Sequence, residues 1–315
     1  MANAPHRGGD KREDGLALDG TALVWRHLSV APAGVPQPVL TDASGEIPRG
    51  QMVAVVGPNG AGKTTFLRAL VGLASFRGEL WVHGEPWHRA RWRIQMGFQP
   101  PAATFVGQTV EEEMAIAVAT RAARTGEPPP DRPKLDGELR RWMQTVGLHV
   151  PVNRPVDALS GGEMAKLAVA GALASGADIL LLDETQAELD PGARADMRAV
   201  FQGLARSGRT ILLVTHDMDD VLAADAVMVI REGTIGKPMP PRDFFYGWGE
   251  RVPCDDLGFQ APYLVQVARD IRAATGADFA PLSEREFVEG WRDAVAGAIR
   301  RGGARRNSSA VEHLV

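Results

Sequence analysis

One cysteine, Cys254, in 315 residues excludes an intrachain disulfide and any cysteine-cluster metal site, and suits a reducing compartment. Long uninterrupted hydrophobic runs are also missing. The most apolar window, Met164 to Leu182, is broken by Lys166, Gly171, Gly176 and Asp178, so it does not read as a membrane-spanning helix. The first twenty residues, MANAPHRGGDKREDGLALDG, lack the apolar core of a signal peptide and predict a disordered lead. Basic charge is not in excess either. A net charge of −4 and a pI near 6.0 give no global field for non-specific nucleic-acid binding, and no nucleic-acid partner is expected. What is present is a chain 44% hydrophobic and 23% charged, able to bury a sizeable core in one large or two ordinary domains.

Three runs, MVAVVG from Met52, DILLLDE from Asp178 and TILLVTHD from Thr210, predict strands buried on both faces, with alanine-rich helical stretches between them. AVMVIREG from Ala226 adds a strand and a turn. This order predicts an α/β fold with a mostly parallel sheet covered by helices and functional residues where strands end. The proline-rich TGEPPPDRPKLDG, Thr125 to Gly137, predicts an exposed excursion dividing a helical insertion. After GKPMPPRDFF two short helices are legible. Leu264, Val267, Ala268 and Ile271 share a face of the first; Ser283 and Glu286 form a capping box for the second, ahead of Phe287, Trp291, Val295 and Ile299. The end, RRGGARRNSSAVEHLV, reads as a solvated, disordered tail.

GPNGAGKTT, Gly57 to Thr65, follows a buried strand and precedes a helix, the context in which a Walker A pattern becomes a phosphate site. The stretch Gly57, Pro58, Asn59, Gly60, Ala61, Gly62 lets backbone N–H groups turn inward around a polyphosphate, and the helix starting near Lys63 presents its positive end to the same anion. Lys63 neutralises β/γ charge, the Thr64 hydroxyl can sit on Mg²⁺, and Thr65 continues the helix. ILLLDE completes the set. Asp183 emerges at a strand end to hold Mg²⁺ through water, and Glu184 can polarise an attacking water.

Two further segments decide the kind of phosphate-binding protein: LSGGEMAKLAVAGALA from Leu159, and LLVTHD ending in His216 and Asp217. With the Walker motifs in this order, the chain strongly resembles the nucleotide-binding subunits of ABC transporters, over about residues 22 to 236. Ser160 and Glu163 also make an S-x-x-E cap, and a serine-capped, amide-rich helix start is itself an anion site. The resemblance implies that Leu159, Ser160, Gly161, Gly162 and Glu163 act in trans on ATP held by a second chain, so that hydrolysis needs a dimer. It also implies that His216 contacts the γ-phosphate and that Asp190, in AELDPG, links the two sites. The division expected is a lead over 1–20, an ABC ATPase domain over 21–240 with a helical subdomain about 100–175, a C-terminal helical domain over 241–300 and a tail over 301–315.

In the family resembled, the glutamine at Gln99 reaches Mg²⁺ and water while its loop touches a membrane subunit. FVGQTVEEEMAIA from Phe105 and PLSEREFVEGW from Pro281 are similar to energy-coupling factor ATPases, which implies uptake of a vitamin or transition-metal ion. That resemblance implies a second ABC ATPase subunit, a membrane scaffold, a small substrate-binding membrane protein, and a place at the cytoplasmic face of the membrane. Departures from the pattern are Pro32 where an aromatic usually stacks on adenine, Thr185 after Glu184, Glu163 for glutamine, and Ala102, Ala103 and Thr104 after Gln99. The alternatives are an export-type subunit or a soluble nucleotide-gated clamp. Against the clamp, the span from Lys63 to Ser160 is too short for a long coiled coil, and one motif set is present rather than a tandem pair.

Overall fold

A computed structural model describes residues 20–31, 37–97, 105–184, 189–247 and 251–302, the side chains of 293 and 295–302 lying outside that description. The chain opens with an antiparallel pair, β1 (Thr21–Ala31) and β2 (Leu40–Pro48). β3 (Met52–Val56) enters a second sheet, followed by α1 (Lys63–Val71). β4 (Ser75–Val82) and β5 (Glu85–Pro86) return to the first sheet, whose order is β2-β1-β4-β5. After α2 (Trp87–Ala90), β6 (Ile94–Gly97) takes an edge of the second sheet. Three helices, α3 (Val110–Thr125), α4 (Arg132–Thr145) and α5 (Gly161–Ala174), intervene before β7 (Ile179–Asp183).

α6 (Pro191–Arg206), β8 (Thr210–Val214), α7 (Met218–Ala223), β9 (Ala226–Arg231) and β10 (Thr234–Ile235) complete a six-stranded sheet of order β10-β9-β3-β8-β7-β6. All pairings in it are parallel except β10 with β9. This is the α/β architecture the strand order predicts, and all four predicted strands are present. Alternate residues of β3 serve opposite faces: Met52, Ala54 and Val56 join one core with the insertion helices and α6, whereas Val53 and Val55 join another with α1 and the antiparallel sheet. A fully buried Leu, Val or Phe here contributes roughly 1.5–3 kcal/mol.

The four-stranded antiparallel sheet is an addition to the sequence reading. β1 does not alternate cleanly, because its pairing with β2 shifts register between Trp25 and Leu28 and again before Val30, and each bulge re-aims the following side chains. Trp25 lies fully buried and meets Phe66 of α1 edge-on at 5.3 Å, which fastens this sheet to the helix of the phosphate loop.

The proline-rich excursion is shorter than expected. Asp131 caps α4 by accepting from the Lys134 N–H at 3.1 Å, and Pro133 lies in the first turn, where a missing N–H removes no helical bond. Beyond the sheets lie α8 (Pro241–Tyr246), α9 (Pro253–Asp256), α10 (Tyr263–Thr275) and α11 (Glu284–Gly302). In α10, Val265, Ala268 and Ile271 are buried while Leu264 and Val267 are half-buried, so the apolar face is centred slightly differently from the sequence reading. The capping box at Ser283 is half formed. Ser283 Oγ accepts from the Glu286 N–H at 3.2 Å, but the Glu286 carboxylate accepts from the Leu282 N–H at 3.0 Å, drawn aside by Arg242 at 2.9 Å. Residues 1–19 and 303–315, read from the sequence as disordered, lie outside the described residues, as do the side chains of Val295 and Ile299.

Candidate active site

Because β3, β7 and β8 are parallel neighbours, the loops leaving their carboxyl ends meet at one edge. The loop after β3 turns at Gly57, whose φ is +150° and where a Cβ would lie 1.9 Å from the Ile230 carbonyl oxygen of β9. Only glycine fits this approach. Gly62 is the N-cap of α1 in a left-handed conformation, no side chain caps the helix, and no acidic residue occupies its first turn. The amides of Lys63, Thr64 and Thr65 therefore stand at a helix start without helical acceptors, as an anion site requires. Lys63 is buried, and its Nζ donates to the Gly57 and Pro58 carbonyls at 2.8 and 3.0 Å. Burial pushes its ammonium below the ordinary lysine range, and Glu184 and Asp183 act in the opposite direction.

At the end of β7, Asp183 Oδ1 accepts from Thr64 Oγ1 at 3.1 Å. Burial raises the Asp183 carboxyl above its ordinary range, and this hydrogen bond opposes the shift. The Glu184 N–H donates to the Val214 carbonyl at 3.1 Å, extending the β7–β8 ladder by one bond, while its own φ is +53°. His216, two residues beyond β8, places Nε2 3.0 Å from Glu184 Oε1, so the imidazole N–H donates to the carboxylate. Both side chains are half-exposed, at 42% and 45%.

Sequence reasoning missed what holds this histidine loop. Asp220 is 1% exposed; it accepts from Thr215 Oγ1 at 2.9 Å and from Arg198 Nε at 2.8 Å. Thr215 Oγ1 in turn accepts from the Asp217 N–H at 3.0 Å, and the Asp217 carboxylate faces Arg194 and Arg198 at 3.7 and 3.6 Å. In HDMDD the three acids look like an exposed helix start. Only the fold of α6 over α7 buries one of them.

Leu159 and Ser160 lead into α5, and the capping box is complete: Ser160 Oγ accepts from the Glu163 N–H at 3.3 Å, and the Glu163 carboxylate accepts from the Ser160 N–H at 2.8 Å. That backbone bond is the main reason the Glu163 carboxyl lies below its ordinary range. The turn packs beside α6: a Cβ on Gly162 would lie 3.1 Å from Ala193 Cβ, and one on Gly161 would lie 3.5 Å from Leu189 Cδ2. Asp190 caps α6 through the Ala193 N–H at 3.0 Å, and since Leu189 and Ala193 meet the glycines of the Leu159–Glu163 signature turn, the structure brings Asp190 and that turn together. Among the described residues, no hydrogen bond or ion pair joins that turn to the Gly57–Thr65 loop. Gln99, Pro32, Ala102, Ala103, Thr104 and Thr185 lie outside the described residues.

A phosphate loop between a central parallel strand and a helix, an acidic strand end beside it and a serine-capped signature helix define a P-loop ATPase of the ATP-binding cassette class. The ABC transporter family profile matches residues 40–187. The chain is 31% identical over 241 residues to the energy-coupling factor transporter ATP-binding protein EcfA1 of Streptococcus sanguinis, covering 74% of this chain and 82% of that protein. It is 32% identical to the EcfA1 proteins of Levilactobacillus brevis, with 78% and 87% of the two chains covered, and of Lactococcus lactis subsp. cremoris, with 79% and 90% covered. In fold it resembles cbiO1 from Clostridium perfringens, described as part of the ABC transporter complex cbiONQ, at a TM-score of 0.65, 22% identity and coverage of 80% of this chain and 100% of that one. A dimeric ATP-binding cassette bound to ADP and phosphate aligns at a TM-score of 0.59 and 19% identity, covering 70% of this chain and 98% of its own. The chain belongs to the ABC transporter ATP-binding family and is an ATP-hydrolysing transporter subunit homologous to the energy-coupling factor ATP-binding proteins.

Proposed function

We propose that this chain is one of two ATPase subunits that drive solute uptake through separate membrane proteins of the energy-coupling factor kind, at the cytoplasmic face of the membrane. The observation that carries this is that Lys63, Thr64, Asp183, Glu184 and His216 converge at one sheet edge, while among the described residues no hydrogen bond or ion pair joins the Ser160–Glu163 turn, packed against Leu189 and Ala193, to the Gly57–Thr65 loop. A second subunit then supplies the signature turn opposite the Walker A loop, and ATP joins the two.

In this reading Gly57 to Thr65 cradle the triphosphate, with Lys63 transferring its hydrogen bonds from loop carbonyls to β/γ oxygens. The oxygen donors Thr64 and Asp183 would suit Mg²⁺, which would supply charge neutralisation when bound, and the family resemblance assigns Gln99 to the same ion. Glu184 takes the proton of a water that attacks the γ-phosphorus in line as the bond to the bridging oxygen breaks and ADP leaves; His216 steadies the γ-phosphate. We assign residues 21–240 to the ATPase unit, with its helical part about 100–175, and 241–300 to a C-terminal helical unit.

No helix among the described residues is long and apolar enough to cross a membrane, so the transport path is assigned to partners. A largely apolar groove of about 470 Å³ lies among β6, α3, α5 and α6, with Ile116 exposed and Phe105 and Ala117 half-buried, and is the face we assign to a scaffold subunit. The names of the relatives, an energy-coupling factor transporter ATP-binding protein and a part of the ABC transporter complex cbiONQ, support a transporter partner; a vitamin or transition-metal ion as cargo, chosen by a small membrane protein, is what the sequence resemblance implies.

The test is to tag the chain, solubilise host membranes in mild detergent and identify what co-purifies. A polytopic scaffold with a second ATPase and a small membrane protein is the expected result. Ribosomal or DNA-bound partners without a membrane protein would overturn the transport assignment.

A further inference from the structure

The C-terminal helices reach back to the sheet edge that carries the site. The Phe259 ring lies 6.1 Å from the His216 imidazole, centroid to centroid, tilted by 52°. The turn that carries Phe259 is tightly made. Leu257 N–H donates to Pro253 O at 3.1 Å, Gly258 N–H to Asp255 O at 2.9 Å and Phe259 N–H to Cys254 O at 3.0 Å, with Gly258 left-handed at φ +73°. The turn is also fixed from outside. Arg269 of α10 donates through Nε to the Phe245 carbonyl at 2.9 Å and through Nη1 to both Asp255 oxygens at 2.9 and 3.2 Å, and Cys254 is fully buried below. Asp256 and Leu257 of the same turn line a cleft of about 390 Å³ whose opposite wall is the Walker A loop from Pro58 to Ala61.

The imidazole of His216 thus has a carboxylate at one end, 3.0 Å from Nε2, and an aromatic ring beside it. A half-exposed histidine whose side chain makes one hydrogen bond among the described residues ordinarily samples several rotamers. A ring held by the Arg269 clamp removes part of that freedom.

We propose that Phe259 is a positioning residue for His216: its ring, fixed by the C-terminal turn, keeps the imidazole in the orientation that serves the Glu184 side of the site. This rests on the role given to His216 above. The C-terminal helices thereby form part of the hydrolytic apparatus of their own chain, and displacing the turn releases the histidine.

The test uses the full chain in its purified complex. Phe259→Ala lowers kcat for ATP hydrolysis by about three- to tenfold, the range an aromatic contact accounts for, and leaves KM within about twofold. Phe259→Tyr, which keeps the ring, restores at least half of the rate. Combining Phe259→Ala with His216→Ala is no slower than His216→Ala alone, since the ring acts through the imidazole. Should Phe259→Ala melt the C-terminal turn, as a lowered melting temperature would reveal, Phe259→Leu keeps apolar volume without a ring and is read by the same criteria. In proton NMR of the isolated full chain, the His216 ring signal moves on Phe259→Ala, through loss of the ring current, while the other six histidine signals stay. An unmoved His216 signal overturns the contact itself. An unchanged kcat, or a double variant slower than His216→Ala by the full Phe259→Ala factor, overturns the positioning role. The signal moving while His216→Ala leaves kcat intact would instead remove the role given to His216, and the proposal with it.

Discussion

Thr64 Oγ1 and Asp183 Oδ1 meet at 3.1 Å although 119 positions separate them in the chain. The bond exists because β3 and β7 flank β8 in one parallel sheet, so that the helix after one strand and the last residue of another emerge side by side. Two oxygens of hard-donor chemistry are fixed next to a buried ammonium, and the consequences are measurable.

Lys63→Ala removes the one buried lysine among the described residues and with it the charge-assisted hydrogen bonds available to a polyphosphate. Such bonds contribute about 1.5–3 kcal/mol each, so ATP affinity falls at least about tenfold. Titration with a fluorescent nucleotide checks this, and unchanged binding would remove the phosphate-site assignment.

Glu184→Gln keeps the size of the side chain and its hydrogen bonding to His216 but abolishes the base. Hydrolysis falls by about two to four orders of magnitude while ATP binding persists, and the ATP-bound dimer accumulates. Light scattering in the presence of ATP reports that species; a wild-type hydrolysis rate would exclude Glu184 as the base.

Gly57→Ala forces a methyl group to within 1.9 Å of the Ile230 carbonyl and demands an unfavourable φ. The cost is at least about 2 kcal/mol, combining steric shift and backbone strain. A lower urea midpoint with an unchanged slope checks it.

Burial pushes the Cys254 thiol up from 9.0 to about 11 and the Tyr246 phenol from 10.0 to about 12. Both groups bind protons more tightly folded than unfolded. Their contribution to stability is complete below about pH 9 and is lost as pH rises through 9–11 for the thiol and 10–12 for the phenol. Urea midpoints measured from pH 7 to 11 should fall from pH 9 upward, and Cys254→Ala should flatten the first part of that fall. A thiol reagent added at pH 8 should label Cys254 only after denaturant.

The parallel sheet was legible because β3, β7, β8 and β9 are runs of buried branched residues bounded by turn signals, a pattern that burial on both faces imposes. The Gly57–Thr65 loop and the Asp183–Glu184 strand end were legible as a pattern because phosphate chemistry favours those residue types at that spacing, whereas Ser160 and His216 were singled out only through the family resemblance. The antiparallel sheet was not, since bulges in β1 break the alternation that marks such strands. Asp220 and Phe259 were invisible for another reason. An acid in HDMDD and an aromatic in LGFQ carry no signal until α6 and the C-terminal turn close over the histidine loop.

Glu184 holds a backbone conformation, φ +53°, that glycine or asparagine adopts with less strain than a glutamate does. Replacing it by either should raise the melting temperature slightly, by an amount corresponding to about 1 kcal/mol, while silencing the enzyme. Stability and turnover therefore oppose each other at a single position, and a variant library screened for heat resistance alone would drift toward inactive protein there.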